Sequence, residues 1–397
     1  MISVTEAIKI VRKNTAPLAA ETIALENAVG RILAADVFAD MDLPPFDRSQ
    51  MDGYAVKSAD TAIASVKLKI VGEAAAGRGW RGELKTGEAV RIMTGAPVPR
   101  GADAVQKLEV TREKNDFVEI FESTQKGQNI ILKASEIRQG AQVFKSGALI
   151  TTEMIAALAS FGYAQIAVGK RPQALILATG NELVGIDEQP QQDQIRNSNS
   201  LTLKIYAEKC GAAAQMLPTA SDDLENLKSQ ILNASQNCDV LILSGGVSVG
   251  KYDFTKAALS ELGAAVLFDR IALRPGKPTV FAKLGETLVF GLPGNPVSAI
   301  VTFNLFARTA LQQMQDAHEC ELETGFAVLT HKLKGAKERD SYLPAKLSID
   351  EKGHLLAEPL KWGGSSDFIS FARADAFVFV PRGETLEAQS VTKILFL

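Results

Sequence analysis

Apolar residues along this chain follow several distinct rhythms, and each change of rhythm marks out a part of the molecule. Residues 3–12 have helical spacing, with Val4, Ile8 and Val11 on one face. A second helical run covers Thr152 to Phe161, where Ile155, Ala156, Leu158 and Ala159 are apolar and Gly162 supplies the stop. From about Asp42 to Gly140 the pattern becomes short β-like runs (VKLKIVGEA, EAVRIMTG, DAVQKLEV, DFVEIFE) broken by Gly and Pro. This predicts a small β domain inserted into a helical one. GKRP at Gly169–Pro172 reads as a hinge-like break. Beyond roughly Glu321 short strands return in GFAVLTHKL, AKLSID and AFVFVPR, and the closing VTKILFL fits an edge strand. No repeat of fixed period is visible.

Between the hinge and Cys320, three stretches read buried strand, Gly-rich turn, helix start. They are ALILATGNEL (Ala174 to Leu183), VLILSGGVSVGKYD (Val240 to Asp253) and TLVFGLPGNPVSA (Thr287 to Ala299). Repeated βα units build a parallel sheet whose turns emerge together at the carboxyl ends of the strands. Backbone N–H groups freed by such turns and by helix N-termini bind phosphate-like anions. Glu182 and Asp253 stand in two of these turns, where a cation would bridge carboxylate to anion. The pattern implies an enzyme acting on a phosphorylated substrate.

Composition narrows the class. At 397 residues the chain exceeds one ordinary core, so roughly two to four domains are expected. Hydrophobic content of 46% and charged content of 22% are globular values. A net charge of −3 argues against a nucleic-acid binder. No apolar run is long enough to span a bilayer, so no membrane role is expected, and MISVTEAIKIVRKN reads as an amphipathic helix rather than a signal peptide. Cys210, Cys238 and Cys320 form no CxxC pair and, with three histidines, no zinc site. A reduced, cytoplasmic protein is the expectation.

Each motif also has a plain folding explanation. SGGVSVGKY matches a Walker A loop at Gly245, Gly250 and Lys251, but Tyr252 replaces the Ser or Thr that ligates Mg²⁺. Asp253 fits a helix cap as well as a metal ligand. Glu182 fits a helix-dipole contact in the first turn after its strand. The acid pair at Ser221–Asp223 opens a helix carrying Leu224, Leu227 and Ile231, so one aspartate caps and one is spare. Pro293 and Pro296 stiffen the third turn, leaving Ser298 and the helix N–H groups in place for an oxyanion. Arg274 and Lys277 in RPGKP read as an anion clamp or as a solvated turn. Asp52-Gly53 is a plausible tight turn, and Thr94-Gly95 another.

Taken together, MDGYAV, RIMTGAPVPRGADAV, TGNEL, the acid pair, SGGVSVGKYDFTK, RPGKP and GLPGNPVS occur in the order that resembles the MoeA/gephyrin family of molybdenum insertases, over essentially the whole chain. The resemblance implies a multidomain α/β architecture. Its parts are a discontinuous helical dimerisation domain (1–41 and 141–170), an inserted β domain (42–140), a parallel-sheet molybdopterin-binding α/β domain (171–320) and a C-terminal β-barrel-like domain (321–397). It implies a homodimer that takes adenylylated molybdopterin and molybdate, cleaves the adenylate with Mg²⁺ and releases molybdenum cofactor and AMP. Transient contacts with the adenylyl transferase and with cofactor-accepting enzymes are implied as well.

By the same resemblance Glu182, Asp222 and Asp253 are metal and catalytic acids, and Asp52 and Thr94 face them from the β domain. Ser248, Pro293 and Pro296 match the loops of the pterin site, and the backbone amides at Gly245–Gly246 and Gly294–Asn295 are expected to hold the terminal phosphate and pterin. Arg274, Lys277, Ser298, Arg339 and Ser365 correspond to molybdate-binding positions, with Arg274 standing where many relatives carry lysine. The chain departs from the family pattern at Glu136, where aspartate is usual, and around Arg339. Two other classes compete: a scaffold that keeps the pterin fold without catalysis, and the adenylyl transferase, which resembles the α/β segment alone.

Overall fold

The computed structural model describes residues 1–246, 254–361 and 363–397, and the chain forms two compact units. The first comprises residues 1–35, 146–155 and 164–397; the second comprises 36–145 and 156–163.

The first unit is built on a six-stranded sheet in the order Ala213–Met216, Gln173–Ala178, Val240–Ser244, Thr287–Leu292, Val280–Leu284, Ala265–Phe268. The first four strands are parallel, and the last two each run antiparallel to the neighbour before them. Continuous apolar runs suit strands covered on both faces, and Val240–Ser244 is buried along its whole length. Register places Ala178 beside Ser244 and Ser244 beside Leu292, so three strands end level on one edge. The expected common edge for the three turns is therefore present.

The first turn differs from expectation. No helix follows TGNEL; Leu183–Val184 instead pairs with Ile195–Arg196, and the helix begins only at Ser198, capped by Asn197. The polar run after Gly185 has no apolar stripe to bury as a helix, so Glu182 has no helix dipole beside it. Acid-pair chemistry is as anticipated: Asp223 caps the helix Leu224–Ser235 by accepting the Asn226 N–H at 2.8 Å, leaving Asp222 spare.

Two further expectations are corrected. GKRP is no hinge: Gly169 ends a strand paired with Ala20–Ala24, and a Cβ there would lie 2.2 Å from the Gln315 carbonyl oxygen. Close packing rather than freedom requires this glycine. VTKILFL is no edge strand either. Val391–Phe396 pairs with Thr324–Leu329 on one side and Ala376–Val380 on the other, and with Asp340–Ile349 and Leu355–Pro359 they close a five-stranded barrel. Closure satisfies the backbone groups that an edge would leave open.

The helix Val4–Asn14 packs Val4, Ala7 and Val11 into the core of the first unit and is capped by Ser3, which accepts the Glu6 N–H at 3.1 Å. Among the described residues no helix is long and apolar enough to cross a membrane.

The second unit holds another six-stranded sheet, ordered Ala104–Lys107, Gly53–Val56, Glu88–Ile92, Val66–Ala74, Phe117–Ile120, Thr111–Lys114. Gly53 opens a strand rather than forming the tight turn expected with Asp52. A Cβ on it would sit 1.9 Å from the Gln106 carbonyl oxygen, so only glycine lets the two strands approach.

Candidate functional site

A cavity of about 300 Å³ gathers Arg274, Lys277, Ser298, Arg339 and Ser365, all five residues expected to bind an oxyanion. The fold explains the convergence of segments far apart in sequence. Leu273–Arg274 runs parallel to Asp340–Ser341 of the barrel, which brings Arg274 and Arg339 to one place. Gly276 turns the RPGKP segment at φ +115, and a Cβ there would meet the Thr302 methyl carbon at 2.4 Å. Thr279 then ties the turn by donating its hydroxyl to the Gly276 carbonyl at 2.7 Å.

Arg274 and Arg339 are half-buried, Lys277 is exposed, and none has a carboxylate partner among the described residues. The neighbouring Asp340 is engaged by Arg382 at 3.4 Å. Three uncompensated cations around one small cavity cost self-repulsion that an anion would relieve. Ser298 is buried on the helix Pro296–Thr302 and lines the same space.

The helix entrance supplies fewer free donors than expected. Pro296 has no N–H, and the Val297 N–H is taken by the Ser365 carbonyl at 3.0 Å. The Ser365 hydroxyl in turn accepts from the Asn295 side-chain amide at 2.9 Å, so segments 293–298 and 364–366 are latched together.

A second cavity of about 940 Å³ opens along the carboxyl edge of the sheet. Its wall includes Glu182, Asp222, Gly245, Gly246, Pro293, Gly294, Asn295 and Pro296, eight of the expected residues. Thr179, Asn199, Ser244, Arg196 and Phe368 line it too and were not anticipated. Asn199 was hidden in NSNS at the start of a helix, where asparagine and serine read as capping. Pro278, Pro293 and Asn295 line both cavities, which therefore adjoin.

Gly245 and Gly246 have φ of +96 and +61, and a Cβ on either would crowd Thr179. The Gly245 N–H is already donated to the Leu292 carbonyl at 3.2 Å, so it is not the free anion ligand expected from a glycine turn. The Gly246 N–H has no partner among the described residues. Asp222 and Asn181 exchange bonds, Asn181 N–H to the Asp222 carboxylate at 3.2 Å and Asp222 N–H to the Asn181 side-chain Oδ1 at 3.1 Å. Glu182 is exposed and has no cationic partner among the described residues. Ser248 and Asp253, together with Lys251 and Tyr252, lie outside the described residues. Among the described residues no group of three His, Cys, Asp or Glu side chains could hold a metal.

In the second unit Asp52 accepts both the backbone N–H and the hydroxyl of Thr94, at 2.7 and 2.8 Å. Those two bonds, the backbone one foremost, hold the Asp52 carboxyl below the usual carboxylate range. Glu136 pairs with Arg48 at 3.1 Å.

Residues 2–162 match the MoeA N-terminal region (domain I and II), 175–313 a probable molybdopterin binding domain, and 327–396 the MoeA C-terminal region (domain IV). A molybdopterin molybdenumtransferase of Bacillus subtilis is 37% identical over 393 residues, covering 96% of this chain and 90% of that protein. One from Staphylococcus aureus (strain COL) is 35% identical, covering 96% and 92%. The crystal structure of the molybdopterin biosynthesis moeA protein from Pyrococcus horikoshii OT3 superposes with a TM-score of 0.87 at 26% identity over 100% of both chains.

Proposed function

This chain belongs to the MoeA family of molybdopterin molybdenumtransferases, and from that premise we propose that it transfers molybdenum from molybdate to adenylylated molybdopterin, with Mg²⁺-dependent release of AMP. The observation that carries the reading is the pair of adjoining cavities. One is small and ringed by three unpaired cations; the other is nucleotide-sized and opens on glycine corners and two acids.

Arg274, Lys277 and Arg339 neutralise the molybdate dianion, while Ser298 and Ser365 offer hydroxyls to its oxygens. Glycine corners and the 293–296 turn hold the terminal phosphate and pterin. The shared wall at Pro278, Pro293 and Asn295 keeps the oxyanion next to the scissile phosphoanhydride, so proximity replaces a bimolecular encounter. An activated water or a molybdate oxygen attacks the adenylate phosphorus and breaks its bond to the bridging oxygen; the molybdopterin phosphate leaves with that oxygen and AMP keeps the attacking one, its Mo–O bond breaking where molybdate attacks.

Glu182 and Asp222 suit Mg²⁺, which is held by one or two carboxylates together with substrate phosphates rather than by a closed protein cage. Bound there, the ion would supply charge neutralisation on the pyrophosphate. A scaffold without catalysis has no use for three unpaired cations beside the phosphate edge. The adenylyl transferase reading accounts for the α/β segment alone, whereas the matches extend across both flanking regions.

In a homodimer Asp52 and Thr94 act in trans. Mixed dimers of Asp52→Ala and Arg274→Gln copies then turn over faster at low molybdate than either variant alone; no such gain contradicts action in trans. The overall reading is tested with adenylylated molybdopterin, Mg²⁺ and molybdate. AMP release with active cofactor is expected. Binding without turnover, or adenylylation of free molybdopterin by ATP, refutes it.

A further inference from the structure

The two glycine corners of the large cavity come from separate βα units; the ladder of their strands ends at Ser244 and Leu292, and one further backbone bond runs from the Gly245 N–H to the Leu292 carbonyl. Beyond that level something else must hold them at a fixed spacing. One side chain meets both. Asn199 donates its amide Nδ2 to the Ser244 hydroxyl at 3.1 Å and to the Gly294 carbonyl at 2.7 Å. Ser244 immediately precedes Gly245–Gly246, and Gly294 lies within the second corner.

Resting on the proposed reading of that cavity, we propose that Asn199 is a positioning residue for the pterin nucleotide, setting the distance between its two phosphate-facing corners. Three features support the assignment. Asn199 lines the cavity itself rather than lying behind it. Asn197 already caps the helix Ser198–Lys209 by accepting the Ser200 N–H, so Asn199 is not needed for the helix start. Both amide protons are spent on the two corners, which fixes the orientation of the side chain and leaves Oδ1 without a partner among the described residues. A neutral amide at this position donates twice from one nitrogen, which neither a carboxylate nor a hydroxyl of similar size can do. A carboxylate of the same shape would face the Gly294 carbonyl with a repulsive oxygen.

AMP with Mg²⁺ is the probe, because it carries the phosphate and does not react. Calorimetric titration of the wild-type chain, Asn199→Ala, Asn199→Asp and Ser244→Ala gives the comparison. Losing two partly exposed hydrogen bonds raises the AMP Kd about tenfold in Asn199→Ala. Asn199→Asp is weakened at least as much, and Ser244→Ala, which breaks one bond only, falls between. Half-saturation by molybdate in the AMP-release assay stays within twofold of wild type, and the thermal midpoint moves little. Unchanged AMP affinity in Asn199→Ala and Asn199→Asp overturns the proposal, as does an equally large loss of molybdate affinity, which would mean general disruption. Failure of the wild-type chain to bind AMP would instead overturn the reading of the cavity, and is seen before any variant is made.

Discussion

Replacing Arg274 by glutamine removes one of the three cations around the small cavity while keeping a side chain of similar length. At a separation of roughly 5 Å, one unit charge and a dianion attract by about 7 kcal/mol at an effective dielectric of 20 and about 2 kcal/mol at 80. Arg274 is half-buried, so the effective dielectric lies between those limits, and water that replaces the guanidinium returns part of the loss. A net cost of about 1.4–3 kcal/mol is left, or roughly a 10- to 100-fold rise in half-saturating molybdate. The assay is AMP release from adenylylated molybdopterin at constant ionic strength, with molybdate varied. Half-saturation by the pterin substrate is expected to shift less than threefold, because Arg274 lines the small cavity and not the large one. Arg274→Lys keeps the charge but loses the flat fork, and falls between wild type and Arg274→Gln. Unchanged molybdate dependence in Arg274→Gln would refute the assignment of this cavity to the oxyanion.

The paired acids give a metal prediction: Asp222→Asn combined with Glu182→Gln raises the Mg²⁺ needed for half-maximal AMP release by at least tenfold, with molybdate dependence unchanged. An unaltered Mg²⁺ titration would remove both residues from the metal site. Asp52 gives a pH prediction with a definite sign. Its folded carboxyl titrates below the ordinary value because Thr94 binds the charged form, so the link is intact above the unfolded value and is lost as pH falls through the folded one. Carbon-detected titration should show the Asp52 carboxyl moving back toward 3.8 in Thr94→Ala; no movement contradicts the bond.

Much of this arrangement was legible because it rests on strong local rules. Buried apolar strands followed by glycine turns located the carboxyl edge, and Pro296 marked a helix start. The acid pair resolved as chemistry suggests, with Asp223 capping the helix and Asp222 left to line the cavity. What sequence missed depends on partners distant in the chain. Whether Gly53 forms a turn or a strand is decided by the Gln106 carbonyl, and whether VTKILFL is an edge is decided by two strands on either side. The Gly245 and Val297 amides looked free because their acceptors, Leu292 and Ser365, lie 47 and 68 positions away. Asn199 was invisible for the opposite reason, since its sequence surroundings offered a sufficient local explanation.

The most direct test of the two adjoining cavities is diffraction near the molybdenum absorption edge from crystals soaked with molybdate, AMP and Mg²⁺. The expected anomalous peak lies among Arg274, Lys277, Arg339, Ser298 and Ser365, with the AMP phosphate across the wall formed by Pro278, Pro293 and Asn295. A molybdenum peak away from those cations, with this cavity left empty, would contradict the account.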